Sequence, residues 1–283
     1  MNKVKILVDS CSDLSKEIYE QYQMDVLAQN VSFGEKNYRD GIDITLEELY
    51  ANVEKTGELP HTAAVSPDEF DKYFKKATDE GFDVVYVGLG SKLSTTFQNA
   101  YIAKQNYPDD RVFLVDSNTL SSGIGLLALK ACKFRDEEMC AKEIAEKCNE
   151  ISKHITAQFS VETLDYLHKG GRCNGAKALI GHILHVHPYI KVVDGSLIVY
   201  KNPRGPMRIA INEQLNELKA VVDNLDLDHI MITHAGVTKE IEDYAKEELS
   251  KIVPADKILI TRAGSVIASH CGFGTIGILY ITK

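Results

Sequence analysis

Short apolar, β-branched runs alternate along the chain with stretches whose apolar residues recur every three or four positions. That alternation is the pattern of an α/β protein with a largely parallel sheet. Lys3–Val8 predicts a first strand, and Val84–Val87 and Val112–Val115 predict two more. All three are apolar and short, as in strands covered on both faces. Leu46, Leu49, Tyr50 and Val53 form one stripe of a helix; Thr45 and Glu48 frame its start as a capping box, and Gly57 lies past its end. Ser66-Pro67 opens a second helix, with Phe70, Tyr73, Phe74 and Ala77 on its apolar face and Gly81 at its end. A charged amphipathic helix is expected over Asp136–Lys153, with Cys140, Ile144, Cys148 and Ile151 turned inward.

The rhythm then changes. Ile155–Val161 predicts a strand and Thr163–His168 a short helix. Ile190–Val193 and Leu197–Tyr200 flank Asp194-Gly195, a strong hairpin signal that makes the second sheet mixed. Arg208–Val222 predicts a helix with Ile211, Leu215, Leu218 and Val222 inward, and Ile230–Thr233, Ile258–Thr261 and Ile276–Ile281 predict strands. The length of 283 residues allows two domains, each with its own core. We place the division near Lys153, giving domains 1–153 and 154–283.

Charge narrows the function. Lys and Arg total 32, Asp and Glu total 41, and the net charge is −9. That balance argues against nucleic acid as a partner. It also argues against polybasic docking on anionic lipid and leaves at most transient membrane contact. No apolar run approaches the ~20 residues that span a bilayer. Met1–Asp9 lacks the apolar stretch and cleavage site of a signal peptide, so a cytoplasmic location is expected. The six cysteines include no C-x-x-C pair and read as reduced, mostly buried thiols.

Candidate chemistry sits after the strands, where open α/β sheets bind ligands. Asp9–Asp13, Gly90–Thr96 and Asp116–Thr119 are polar clusters in that position, and Thr62 lies in a loop between two capped helices. Each taken alone reads first as helix capping. Together they fit an anion or carboxylate site, because hydroxyls and free amides at a helix N-terminus suit an anion. Gly170-Gly171-Arg172 allows close backbone approach and presents a guanidinium, or is a helix end before a surface arginine. Arg204-Gly205-Pro206 reads as a turn. His270 is placed in a small-residue loop before a strand, within reach of a ligand or interdomain cleft. His182, His185 and His187 mix helix and strand spacing, poor geometry for one tetrahedral centre, and no metal is expected. No P-loop, G-x-G-x-x-G or G-x-S-x-G motif occurs.

Taken together these clusters resemble the DegV family of fatty-acid-binding proteins over essentially the whole chain. The carrying residues are Val8-Asp9-Ser10, Tyr38–Thr45, Thr62 with Ser66-Pro67, Leu93–Ala100 and Val115-Asp116-Ser117. They continue through Thr163–Leu167, Lys169–Arg172, Asp194-Gly195, Arg204-Gly205 and His270–Thr275. The resemblance implies two α/β domains, the first three-layered with a largely parallel sheet, and a ligand tunnel. It implies a fatty acid carboxylate held by Thr62, Ser94 and His270, with Arg172 and Arg204 facing a partner or phosphate. It implies no cofactor beyond the bound lipid, and a partner fatty acid kinase of the kind that serves phospholipid metabolism. Thr95 stands where the family usually has glycine, and His187 where it usually has lysine.

Three readings stay open on the sequence. The first is a non-catalytic carrier whose apolar tunnel takes one long-chain fatty acid. The second is a serine-type esterase using Ser94 and His270 with Asp116 or Asp9, which needs a Ser–His hydrogen bond and an oriented third group. The third is a regulatory protein with a vestigial pocket.

Overall fold

A computed structural model describes residues 2–173 and 185–283. The first half runs β1 (Val4–Asp9), α1 (Lys16–Gln21), β2 (Asp25–Leu27), β3 (Asn30–Phe33), β4 (Lys36–Arg39), α2 (Leu46–Thr56) and β5 (His61–Ala63). It continues with α3 (Pro67–Asp79), β6 (Asp83–Gly88), α4 (Thr96–Lys104), β7 (Val112–Asp116), α5 (Ser122–Asp136) and α6 (Ala141–Ile151). The second half runs β8 (Ile155–Ser160), α7 (Asp165–Gly170), β9 (Tyr189–Val193), β10 (Ser196–Lys201) and α8 (Met207–Lys219). It ends with β11 (Ile230–Ala235), α9 (Lys239–Ser250), β12 (Ile258–Arg262), α10 (Ser265–Cys271) and β13 (Thr275–Ile281).

A parallel four-strand sheet, ordered β2-β1-β6-β7, lies within the first half. Its strands are apolar on both faces because α3 and α4 cover one and α5 and α6 the other. A mixed six-strand sheet, ordered β10-β9-β8-β13-β11-β12, lies in the second half. Only its β11–β12 pair is parallel. Its outer face packs on α8 and α9 through Ile230, Ile232, Ile276 and Ile278. Its inner face, with Phe159, Met231 and Leu279, joins the core that also holds α5. The hairpin turn adopts the expected form, with φ of 48° at Asp194 and 73° at Gly195.

The start signals act as read. Thr45 and Glu48 exchange both capping-box bonds, and Gly57 takes a left-handed cap with φ 70°. Ser66 accepts from the Glu69 N–H, with Pro67 opening the helix.

Several expectations are corrected. The helix expected from Asp136 begins at Ala141, and Cys140 is its N-cap, so Cys140 and Cys148 do not share a helical face. Glu138, at φ 61°, separates that helix from α5. Val222 lies beyond α8 in a short 3-10 turn. Thr62 is not in a loop but in β5, one edge of a small antiparallel sheet ordered β4-β3-β5. His270 is not in a loop but near the end of α10. No helix among the described residues is long and apolar enough to cross a membrane.

Candidate functional site

The site forms where the small sheet, the loop after β6, α10 and the end of α7 converge. β5 pairs with β3 in the register Val31↔Thr62, which fixes the Thr62 side chain opposite α10. The Thr62 hydroxyl lies 2.9 Å from His270 Nε2. Burial, and secondarily the Arg172 guanidinium, push the His270 imidazole down to about 4, so it is neutral at physiological pH. Its Nδ1 is buried without a hydrogen-bond partner.

The glycine pair explains how α7 approaches this ring. A Cβ at Gly170 would sit 2.4 Å from His270 Nδ1, so any side chain there displaces the imidazole. Gly171 follows as a left-handed cap with φ 68°, a conformation costly for any residue with a Cβ. The turn delivers Arg172, whose Nη1 donates to the Gly170 carbonyl at 2.5 Å and whose Nε donates to the Leu93 carbonyl at 3.4 Å.

Ser94 lies two residues before the first residue of α4. Its hydroxyl accepts from the Thr96 N–H at 3.2 Å and lies 3.0 Å from Thr96 Oγ1. It therefore caps a backbone donor and also lines a cavity. Thr95 has φ −75° and ψ −3°, an ordinary right-handed conformation, so its branched side chain carries no backbone strain.

That cavity measures about 400 Å³ and is lined by Thr62, Ser94, Arg172 and His270, with Gln29 and Lys92. It falls within the ~300–1,000 Å³ typical of small-molecule sites. A second, almost wholly apolar pocket of about 50 Å³ lies between the inner face of the six-strand sheet and α10, with Phe159, Leu167 and Leu279 in its walls. Leu120, Leu197, Ile267 and His270 line both spaces. The larger chamber, of mixed polar and apolar lining, and the apolar pocket thus share walls at the histidine. Thr62, Arg172 and His270 also border an adjoining cavity of about 660 Å³.

The structure brings together Thr62, Ser94, Arg172 and His270 but not Arg204. Arg204 is exposed, on a turn where it bridges Val186 and the Gly205 N–H donates to the His185 carbonyl. His187 Nδ1 lies 3.2 Å from a Glu162 carboxylate oxygen. His182 lies outside the described residues. Among the described residues, no group of three or more His, Cys, Asp or Glu side chains is placed to hold a metal ion.

The acids considered as triad members bond elsewhere. Asp9 accepts from the Tyr86 hydroxyl at 2.8 Å and the Leu89 N–H at 2.6 Å, and burial pushes it up to about 6. Asp116 accepts from the Ser91 and Asn118 N–H groups. Sequence reading missed the contact between Gly170 and His270, for which the glycine pair was the one available signal. It also missed Gln29, which lies buried in the chamber wall with no motif around it.

The profile of a family described as "Uncharacterised protein, DegV family" matches residues 3–283. A DegV domain-containing protein of Clostridium perfringens is 32% identical over 226 residues, covering 80% of this chain and 78% of that relative. Among solved structures, a DegV family protein from Thermus thermophilus, described for its fatty acid binding, is similar with a TM-score of 0.91 and 28% identity over 100% of both chains. DegV from Bacillus subtilis, described as a fatty acid binding protein, is similar with a TM-score of 0.86 and 27% identity over 100% of both chains.

Proposed function

The chain belongs to the DegV family, and from that premise we propose that it is a carrier that binds one long-chain fatty acid. The observation that carries this reading is the shared wall at His270. A chamber that carries hydroxyl, imidazole and cationic side chains meets an apolar pocket there, which suits one molecule with a carboxylate head and a hydrocarbon tail. The Thr62 hydroxyl, the Ser94 hydroxyl and His270 Nε2 hold the head. Leu120, Leu197 and Ile267 guide the tail toward Phe159 and Leu279.

On this reading the protein does no chemistry alone. A fatty acid kinase partner phosphorylates the presented carboxylate, and Arg172 at the chamber wall meets the added charge. The hydrogen bonds favour this over an esterase. Ser94 is bonded to Thr96, His270 to Thr62, and the His270 Nδ1 that a third triad member would orient has no partner.

The test is solvent extraction of protein purified from cells, followed by mass spectrometry, beside titration of delipidated protein with palmitate and oleate. The expected result is near one fatty acid per chain and saturable binding without turnover. An empty extract together with no binding of either acid refutes the proposal. Steady acyl-ester hydrolysis abolished by Ser94→Ala replaces it with the esterase.

A further inference from the structure

Helix α10 carries two residues of the chamber wall, Ile267 and His270, yet it starts without a cap of its own. Its N-cap is Gly264, which has no side chain to accept the free N–H groups of the first turn. The turn is buried, with Ser265 only 2% exposed, so bulk water does not serve them either. The acceptors come from the first half of the chain. Asp13 Oδ1 accepts from the Gly264 N–H at 2.8 Å, and Asp40 Oδ1 accepts from the Ser265 N–H at 2.6 Å. These bonds join residues 251 and 225 positions apart.

Each carboxylate is itself fixed. Asp13 Oδ2 accepts from the Ser121 hydroxyl at 2.5 Å. Asp40 Oδ2 accepts from the Ser10 hydroxyl at 2.8 Å, and the Asp40 N–H donates to the Gln29 carbonyl at 2.8 Å. Gly264 makes room for the approach: a Cβ there would lie 2.9 Å from both Asp40 carboxylate oxygens. Its φ of −71° and ψ of 174° are ordinary extended backbone, so only its size is needed. A cap from α10's own segment would fix where the helix starts but not where it sits. Carboxylates of the first half fix it against β5 and the loop after β6, which carry Thr62 and Ser94. At the other end of the helix, His270 Nε2 lies 2.9 Å from the Thr62 hydroxyl. A slip of one residue along the helix axis moves the ring by ~1.5 Å, enough to break that bond.

We infer that Asp40, with Asp13 on the preceding N–H, is a positioning residue of the head site: through α10 it holds the His270 imidazole against Thr62. Both carboxylates act from outside the chamber, whose wall they do not join. The consequence for affinity rests on the fatty acid reading; the placement of the ring does not.

The test is a double-mutant cycle on full-length, delipidated protein, read by palmitate titration, melting curves and the His270 imidazole resonances of the ligand-free protein. Asp40→Ala removes the acceptor, Asp40→Asn keeps an oxygen for the Ser265 N–H, and Gly264→Ala pushes on the carboxylate without altering it. Asp40→Ala is expected to shift the His270 resonances and to weaken palmitate roughly ten-fold or more, the loss of one donor to a charged head. Asp40→Asn restores most of that affinity. In a His270→Asn background, Asp40→Ala should cost less than about three-fold, because the residue it acts through is gone. Gly264→Ala should follow Asp40→Ala in both backgrounds, and it decides the matter if Asp40→Ala does not fold. A lower Tm with unchanged palmitate affinity makes the carboxylates supports of the fold only and overturns the inference. An equal loss of affinity in both backgrounds overturns it as well, and so do His270 resonances that stay in place. Wild-type protein that does not bind palmitate refutes the fatty acid reading, and the His270 resonances then still decide the role of Asp40.

Discussion

Gly170→Ala is the sharpest single perturbation of the proposed head site. The added Cβ would lie 2.4 Å from His270 Nδ1 and 3.2 Å from Cε1, whereas ordinary contact begins at 3.4 Å. The ring must therefore retreat by about 1 Å, the difference between those distances. Such a shift breaks the 2.9 Å bond to Thr62. Overpacking costs about 1–3 kcal/mol, and the lost bond about 1 kcal/mol more. For a chain of 283 residues that sum lowers the Tm by roughly 3–7 °C. Displacing a donor from a charged carboxylate costs about 1.5–3 kcal/mol, or roughly ten-fold or more in fatty acid affinity. Gly171→Ala is the control. Its φ is 68° and nothing lies within 4 Å, so the added methyl strains the backbone without touching the ring. It is expected to lose about 1–2 kcal/mol of stability and to bind palmitate as wild type does. Thermal melting and palmitate titration of both variants give the answer. Wild-type affinity in Gly170→Ala, or an equal affinity loss in Gly171→Ala, would show that the Gly170–His270 contact does not set the head site.

Thr62→Ala with Ser94→Ala should weaken palmitate binding by roughly 100- to 10,000-fold, at about 1.5–3 kcal/mol for each hydrogen bond to a charged group; a lower Tm with unchanged affinity would make both residues structural only. Arg172→Ala should barely change fatty acid binding but strongly reduce acyl-phosphate formation by a cognate kinase, and Arg172→Lys should rescue it only in part, since an ammonium lacks the two-point fork. Two groups at or near the site contribute to the pH profile with opposite sign. His270 falls from 6.5 to about 4 on folding, so its contribution is full above pH 6.5 and is lost as pH falls to 4; over that 2.5-unit interval this is about 3 kcal/mol. Asp9 rises from 3.8 to about 6, so its contribution is present at low pH and is lost as pH climbs through that interval, about 3 kcal/mol with the opposite sign. His270→Asn should therefore gain stability relative to wild type as pH is lowered from 6.5 to 4, read from the two melting curves; a difference that does not move with pH would mean the imidazole titrates at its ordinary value.

What the sequence reveals tracks where burial is one-sided or a turn demands a particular residue. The capping box at Thr45, the proline start at Pro67 and the Asp194-Gly195 turn are local devices, and all three act as their residues imply. The helix α5 escaped notice for the opposite reason. It lies between the two large sheets, and every residue from Ser122 to Cys132 is buried. It therefore has no polar face and no helical period to detect. The strands β3 to β5 are only three or four residues long and partly exposed, so they lack the apolar run that marked β1. Gly34-Glu35, the two-residue connection with φ 55° at Gly34, was their one signal. His270 looked like a loop residue because Ser265–Cys271 is rich in small side chains, yet those side chains are small because the helix is buried. Thr62, Ser94 and His270 come from three separate segments, and pattern alone could not assemble them. Gln29 carries no local mark at all, since only its burial and its unpaired nitrogen single it out.

On the proposed reading, the two chambers divide energy from orientation. Each buried CH₂ contributes ~0.8 kcal/mol, so a 16-carbon tail gains roughly 12 kcal/mol before the costs of binding. The apolar pocket measures about 50 Å³, room for only a few methylene-sized groups, so a full chain must part the side chains around it. Selection by tail length and shape then lies in how far Leu120, Leu197 and Ile267 can separate. The head site need not supply affinity, and its composition fits that freedom. Thr62, Ser94 and a neutral His270 offer hydrogen bonds without a full opposing charge in contact, while the Arg172 guanidinium is tied to the Gly170 and Leu93 carbonyls. A buried cation paired tightly with the carboxylate would carry a desolvation cost. It would also draw electron density from the oxygen that must attack a phosphoryl donor. Neutral donors fix the carboxylate in place and leave it nucleophilic, as a carrier that presents its cargo to a kinase requires.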